Sequence, residues 1–340
     1  MGLNVAVVGA TGAVGEELLK VLAERRFPVG TLRLLASERS AGRAVTFAGR
    51  GVEVERAEAA SFKGVDVAFF SAGGAVSKEL APKAVRHGAV VIDNTSAFRM
   101  DPDVPLVVPE VNPEDIRKHR GIIANPNCST IIMVVALAPL HRRATLRRII
   151  ASTYQAVSGA GARAMAELTA ESRAVLEGRV EDATVLPFAA AAKHFPIAFN
   201  LIPHIDVFAE DDYTREEWKM VHETRKILHE PDLGVTATCV RVPVYRSHSE
   251  SLNIETEARL SPEEARRILA AAPGVVVQDN PEEQEYPMPL FVAGRDEVFV
   301  GRVREDPTHP SALALWVVGD QLRKGAALNA VQIAEALRNA

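Results

Sequence analysis

The sequence predicts an α/β protein of two domains: a doubly wound parallel sheet, then an α+β unit built on a mixed or antiparallel sheet. Three observations carry that prediction. Over the first 127 residues, short β-branched runs alternate with helical stretches, the order that lays helices on both faces of a parallel sheet. The run Gly9-Ala10-Thr11-Gly12-Ala13-Val14-Gly15 joins the first strand to the first helix. Beyond residue 145 the strand candidates follow one another more directly, as in sheets with antiparallel neighbours. A chain of 340 residues is too long for one ordinary domain, which places residues 1–127 and 321–340 in the first and 128–320 in the second.

The elements follow in order. Residues 3–8 read as a strand and 13–26 as an amphipathic helix; 32–36, 65–70, 89–92 and 121–124 are further strands, with a helix over 77–87. An apolar helix starts at Cys128. In the second domain the strands are expected at 149–157, 235–244, 252–258, 275–278, 298–304 and 312–318, with helices over 162–176, 214–228 and 262–271. Alternation in Thr238-Cys239-Val240-Arg241-Val242 gives that sheet one apolar face. A last helix over 326–338 follows a glycine and is long enough to return to the first domain.

Composition narrows the function. A net charge of −5 without a basic stripe removes the electrostatic basis for nucleic-acid binding. The apolar run from Ile131 ends at Pro139 and His141-Arg142-Arg143, short of the ~20 residues a membrane span needs. The chain opens directly on a strand with no basic leader, so the expected location is cytoplasmic. Two distant cysteines, Cys128 and Cys239, make neither a disulfide framework nor a zinc cage, and no metal is expected.

The glycine-rich turn is of the Rossmann type. Its glycines allow a sharp turn and let a pyrophosphate approach free N–H groups at the helix start, which makes Gly9, Thr11, Gly12, Ala13 and Val14 cofactor residues. NAD enzymes end the second strand on an acid that binds the ribose 2′-hydroxyl. Here the stretch is Ala36-Ser37-Glu38-Arg39-Ser40, and a guanidinium with two hydroxyls (Ser37, Arg39, Ser40) suits a 2′-phosphate, so NADP is expected, with Glu38 turned to solvent. Ser71 and Gly73, and Asn94, follow later strands at the edge where such sheets bind ligands.

Asn125-Pro126-Asn127-Cys128-Ser129-Thr130 places Cys128 after a strand at the start of an apolar helix. A helix N-terminus favours the thiolate and supplies N–H groups to a developing oxyanion, as a thioester mechanism needs. With the glycine turn, this run resembles the aspartate-semialdehyde dehydrogenase family. The resemblance extends through Tyr154-Gln155-Ala156-Val157-Ser158-Gly159-Ala160-Gly161, Glu217-Trp218-Lys219-Met220, Arg241-Val242-Pro243-Val244 with His248-Ser249-Glu250, and Gly319-Asp320-Gln321, collinear over essentially the whole chain.

The resemblance implies a catalytic Cys128 that carries the acyl group, His248 as acid–base catalyst, and Gln155 orienting the intermediate. It implies Arg241 on the substrate's α-carboxylate, Glu217 on its amino group, and Arg99 and Lys219 on phosphate, with Asn127 beside the substrate. Ser158, Gly159, Gly161 and Gln321 are expected at the nicotinamide end, with Asn329 a further candidate, and Cys239 is structural. Glu217 and Lys219 project about 200° apart on a helix, a strain in this assignment. The implied reaction is the NADPH-dependent, reversible reduction of β-aspartyl phosphate to aspartate β-semialdehyde and phosphate, in the synthesis of lysine (through diaminopimelate), threonine and methionine, by a homodimer or dimer of dimers. The rival enzyme is an N-acetyl-glutamyl-phosphate reductase, against which Arg241 and Glu217 speak because they suit a free α-amino acid. The rival of another class is a non-catalytic dinucleotide sensor with an inert Cys128.

Overall fold

The first strand, β1 (Leu3–Val8), alternates apolar side chains that are buried on both faces, and this sorts the first core into two layers. Val5 and Val7 pack with Leu18 and Leu22 of α1 (Ala13–Glu24) and with Val331 and Ala334 near the C-terminus. Ala6 and Val8 pack with Leu80, Ala81 and Ala84 of α2 (Gly74–Arg86) on the other face. A sheet covered on both sides by helices is the doubly wound architecture the sequence predicts.

The computed structural model describes residues 2–339. It divides into two compact units, Met1–Asn127 with Gly325–Ala340, and Cys128–Lys324. In the first unit, β2 is Val29–Ala36, β3 Ala44–Phe47, β4 Arg50–Arg56, β5 Val67–Phe70, β6 Val90–Asp93 and β7 Ile122–Ala124. The seven strands run β3-β4-β2-β1-β5-β6-β7, all parallel except the β3–β4 hairpin. That hairpin was not among the expected strands: its outward positions Arg50, Glu53 and Glu55 are exposed and dilute the apolar alternation of an edge element.

The second unit opens with α3 (Cys128–Ala144), apolar all round because it is buried nearly throughout, from Ile131 to Ala138. It continues through β8 (Leu146–Ala156), α4 (Ala162–Leu176), α5 (Arg215–Leu228), β9 (Gly234–Val242) and β10 (His248–Thr256). There follow α6 (Pro262–Ala270), β11 (Val275–Val277), the short α7 (Pro289–Val292), β12 (Val298–Glu305) and β13 (Ala312–Gly319). The sheet order is β11-β12-β13-β10-β8-β9, mixed as expected, with parallel pairs at both edges and antiparallel pairs between. The last expected helix, α8 (Leu328–Asn339), starts after a wide turn at Arg323–Ala327 and belongs to the first unit. One boundary matters for function: β10 begins at His248 rather than residue 252, so His248 opens a strand instead of ending a turn.

On one face of this sheet the side chains form rows. Gln155 pairs with Arg241, and the register Ser249↔Tyr154 sets His248 beside Gln155. The next row is Glu250, Thr153 and Cys239, all fully buried. Both carboxyl oxygens of Glu250 lie buried without a hydrogen-bond partner among the described residues. Burial pushes its pKa well above the usual carboxylate range, so the native state holds a proton that the unfolded chain releases. Above the ordinary carboxylate pKa the folded form then loses stability as pH rises, at most about 1.4 kcal/mol per pH unit from this group. Glu250→Gln removes that loss. Thermal melting between pH 5 and 9 is expected to show the variant gaining on the parent protein as pH rises; a constant offset across that range would refute a neutral buried Glu250.

Candidate active site

In the first unit the glycine turn closes tightly. Gly9 has φ +90°, and its N–H donates to Leu35 O while Gly12 N–H returns to Gly9 O. A Cβ on Gly15 would lie 2.2 Å from Gly9 O, so only glycine lets the first turn of α1 rest against the end of β1. No side chain caps α1 at Gly12, which is exposed, and Thr11, Ala13 and Val14 border it. This cradle fits a dinucleotide pyrophosphate. Ser37, Arg39 and Ser40 follow β2 in a short 3-10 turn, with Ser37 and Arg39 exposed and Ser40 3.4 Å from the Thr11 hydroxyl. Glu38 is exposed and lies 3.8 Å from Arg56. Ser71 and Gly73 follow β5, and Asn94 follows β6, so the expected cofactor residues of this unit share the C-terminal edge of the sheet. Ser71 N–H bonds Val8 O, and Asn94 N–H bonds Phe70 O.

Arg99 is buried in the same unit, its Nε donating to Asn125 O at 3.0 Å and Nη2 to Asn94 O at 2.9 Å. Asn127 is buried as the unit's last residue before Cys128. Asn329 donates to Val107 O and Asn125 Oδ1, a buried tie between α8 and the loops below it.

The second unit sets a thiol against an imidazole. Cys128 is the first residue of α3 and half-buried, and its Sγ lies 3.5 Å from His248 Nε2. Ala156 N–H donates to His248 Nδ1 at 3.1 Å, while Arg241 Nη1 donates to Ala156 O at 2.8 Å. One residue of β8 therefore orients both side chains. With Nδ1 accepting, the neutral ring carries its proton on Nε2 and faces the sulfur as a donor. Burial and the adjacent Arg241 guanidinium push the His248 pKa down to about 3, against a smaller opposing pull from Glu216. The ring is uncharged at neutral pH. Arg241 is itself fully buried; burial lowers its pKa while Glu216 pulls the other way.

Gln155 donates weakly from Nε2 to Glu216 Oε1 at 3.3 Å and to Thr153 Oγ1 at 3.4 Å. The carboxylate at this position is a finding the sequence reading missed. Glu217 closes a capping box with Thr214 at the start of α5, and its other oxygen accepts the Cys239 N–H at 3.0 Å. Its charge is spent on backbone, because it stands at the third position of the helix. Glu216 is the acid that meets Gln155, and it also binds Lys219 at 3.0 Å, one turn along. This resolves the angular strain between Glu217 and Lys219: spacing of three, not two, puts an acid and a base on one helix face. Lys219 also reaches Asp206 at 2.8 Å. Burial lowers its pKa, but Glu216 and Asp206 outweigh that and hold it above the ordinary lysine value.

Ser158, Gly159 and Gly161 lie in and beside the turn after β8, and Gln321 follows β13. Gln321 donates to the Ser158 hydroxyl and accepts from Ser247 N–H at 2.9 Å, next to His248. Cys239 is fully buried against the Met220 sulfur, 3.7 Å away. No helix among the described residues is long and apolar enough to cross a membrane.

A dinucleotide-type sheet and a separate unit that aims an imidazole at a helix-borne thiol define an oxidoreductase of the aldehyde-dehydrogenase kind. Comparison with known proteins makes this specific. Residues 4–119 match the family model of the semialdehyde dehydrogenase NAD-binding domain, and 137–324 that of the semialdehyde dehydrogenase dimerisation domain. The aspartate-semialdehyde dehydrogenase of Aquifex aeolicus is 59% identical over 99% of this chain and 98% of its own length. The crystal structure of aspartate semialdehyde dehydrogenase II of Vibrio cholerae, complexed with ASA, shares 48% identity at a TM-score of 0.95, covering 100% of this chain and 99% of that one. The enzyme of Candida albicans, solved with NADP, aligns at 26% identity and a TM-score of 0.75 over 99% of both chains. The chain belongs to the aspartate-semialdehyde dehydrogenase family.

Proposed function

We propose that the protein catalyses the reversible, NADPH-dependent reductive dephosphorylation of β-aspartyl phosphate to aspartate β-semialdehyde, through a thioester on Cys128. The observation that carries the reading is the 3.5 Å approach of Cys128 Sγ to His248 Nε2 at the start of a helix. The Cys128 thiolate attacks the acyl carbon and forms the C–S bond as the C–O bond to phosphate breaks, the departing phosphate taking up a proton from solvent. A nicotinamide dinucleotide, when held by the glycine cradle, would supply the hydride that reduces that carbon. The resulting oxyanion collapses to the aldehyde and returns the pair of electrons to sulfur. The sulfur lies 3.5 Å from His248 Nε2, and an Nε2–H there would stabilise the sulfur anion, and the oxyanion formed next to it, as a donor.

Arg241 supplies the bidentate fork for the α-carboxylate. Glu216 takes the amino group, in place of Glu217. Gln155, held by Glu216 and Thr153, orients the acyl oxygen, and Arg99 and Lys219 are the cations assigned to phosphate, with Asn127 beside the nucleophile. The glycine cradle, Ser71, Gly73 and Asn94 hold the dinucleotide, Ser37, Arg39 and Ser40 its 2′-phosphate, and Ser158, Gly159, Gly161 and Gln321 the nicotinamide end. NADP is favoured because β2 ends without an acid turned inward, and because the Candida albicans relative carries that cofactor. Residues 1–127 with the C-terminal helix serve as the cofactor domain, and the remainder as the catalytic and dimerisation domain. A homodimer fits the match to a dimerisation domain and the exposed Tyr154, Met288, Leu290 and Phe291 of that unit.

Three measurements test the reading. Cys128→Ala is expected to abolish turnover while NADPH binding, followed by fluorescence, stays near the parent value; retained turnover ends the thioester mechanism. Arg39→Ala is expected to lower the NADP-over-NAD preference in kcat/KM by about tenfold, the worth of one phosphate-directed charge-assisted bond; an unchanged ratio refutes the 2′-phosphate assignment. Glu216→Gln should raise KM for the semialdehyde about tenfold or more, whereas Glu217→Gln should act mainly on stability, costing about 1–2 kcal/mol through its lost cap. The reverse pattern restores Glu217 to the substrate.

A further inference from the structure

Gly159 is exposed in the turn Val157–Ala160, and its φ lies outside the left-handed region, so the turn alone does not demand glycine there. Gly161, two residues on, is different: φ is +89° and a Cβ would meet nothing within 4 Å. A Cβ on Gly159 would stand 2.9 Å from Arg241 Nη1, 3.2 Å from His248 Cε1 and 3.3 Å from His248 Nε2. Neither neighbour is free to yield. Arg241 Nη1 is tied to Ala156 O and His248 Nδ1 to Ala156 N–H, and the two side chains are 3% and 0% exposed. Arg241 Nε is buried with no hydrogen-bond partner among the described residues, so the guanidinium keeps unused donor capacity.

We propose that Gly159 is a specificity-determining residue: its missing side chain keeps open the space between Arg241 and His248 Nε2 that the carboxylate end of a short α-amino aldehyde occupies. This rests on the assignment of Arg241 to the substrate carboxylate. The turn holding Gly159 thereby acts on the substrate side of the site, beyond any part it has in closing over the cofactor. A carboxylate is flat and needs both of its oxygens against the fork; one methyl group placed 2.9 Å from a guanidinium nitrogen takes the volume of the nearer oxygen.

The test compares Gly159→Ala, Gly159→Ser and Arg241→Lys in the full-length protein, assayed with aspartate β-semialdehyde, phosphate and NADP. Gly159→Ala is expected to raise KM for the semialdehyde about 10- to 100-fold, the range one methyl group commands in a tight pocket, and Gly159→Ser further. KM for phosphate should stay within about twofold, and any loss of NADP affinity, read by fluorescence, should be smaller than the rise in semialdehyde KM. With both neighbours fixed, the exposed turn that carries Gly159 must shift to relieve the contact, and melting midpoints are expected to stay within about 3 °C of the parent. An unchanged semialdehyde KM in both glycine variants, with a raised KM in Arg241→Lys, overturns this inference and leaves the substrate assignment standing. A raised NADP requirement with unchanged semialdehyde KM also overturns it and assigns the glycine to the cofactor alone. An unchanged KM in Arg241→Lys removes the assignment on which the inference rests.

Discussion

The site in the second unit depends on the peptide groups of one residue, Ala156. Its N–H fixes the His248 ring and its C=O fixes the Arg241 guanidinium. Backbone groups are directional and survive every substitution but proline, so the two side chains are aimed by the sheet itself. The position is available because the sheet changes character at β8: antiparallel to β10 on one side, parallel to β9 on the other, as it also does at β12. Its last residues are flanked by the first residue of β10 and the last residues of β9. Arg241 near the end of β9 and His248 at the start of β10 converge there on either side of β8.

The charges beside this anchor are arranged in a closed set. Arg241 is fully buried and would be costly alone; Glu216 offsets it, and Lys219 and Asp206 extend the alternation outward to half-exposed positions. Glu250, one row deeper, has no cation to answer it and holds a proton. The row that faces the sulfur is thus polar and charged, the row beneath it polar and neutral, and the next, Leu252, Ala151 and Ala237, apolar. Such grading lets electrostatic interactions strengthen away from water while the sheet keeps a dry core.

Most of this was legible in the sequence, and the exceptions have physical causes. The glycine turn, the helix starting at Cys128 and the change of strand pattern after it fixed the architecture, because periodicity and glycine spacing report directly on backbone. The β3–β4 hairpin escaped because an edge element exposes one face and carries charges there. His248 was expected in a turn because the polar run His248-Ser249-Glu250 hides a strand whose polar side chains are buried, against the usual alternation. Glu216 escaped because adjacent acids look alike in one dimension. The signal that separates them was present: Thr214 and Glu217 have capping-box spacing, which commits Glu217 to the helix start and leaves Glu216 one turn from Lys219.

A donor that never changes its proton count suits the proposed reaction. In that reaction sulfur enters as a thiolate and leaves as a thiolate, and the tetrahedral oxyanion forms and collapses between them; the one proton consumed goes to the departing phosphate and can come from solvent, so the ring need not supply it. A doubly protonated imidazolium would be a stronger donor, but its Nδ1–H would point at the Ala156 N–H, two donors facing each other where no water can relieve them. The contact that deprives His248 of a basic nitrogen is therefore the contact that aims its remaining N–H at the sulfur. Orientation and neutrality come from one hydrogen bond, and the thiolate of the proposed mechanism would draw on that fixed donor and on the N-terminus of α3 rather than on a positive charge on the ring.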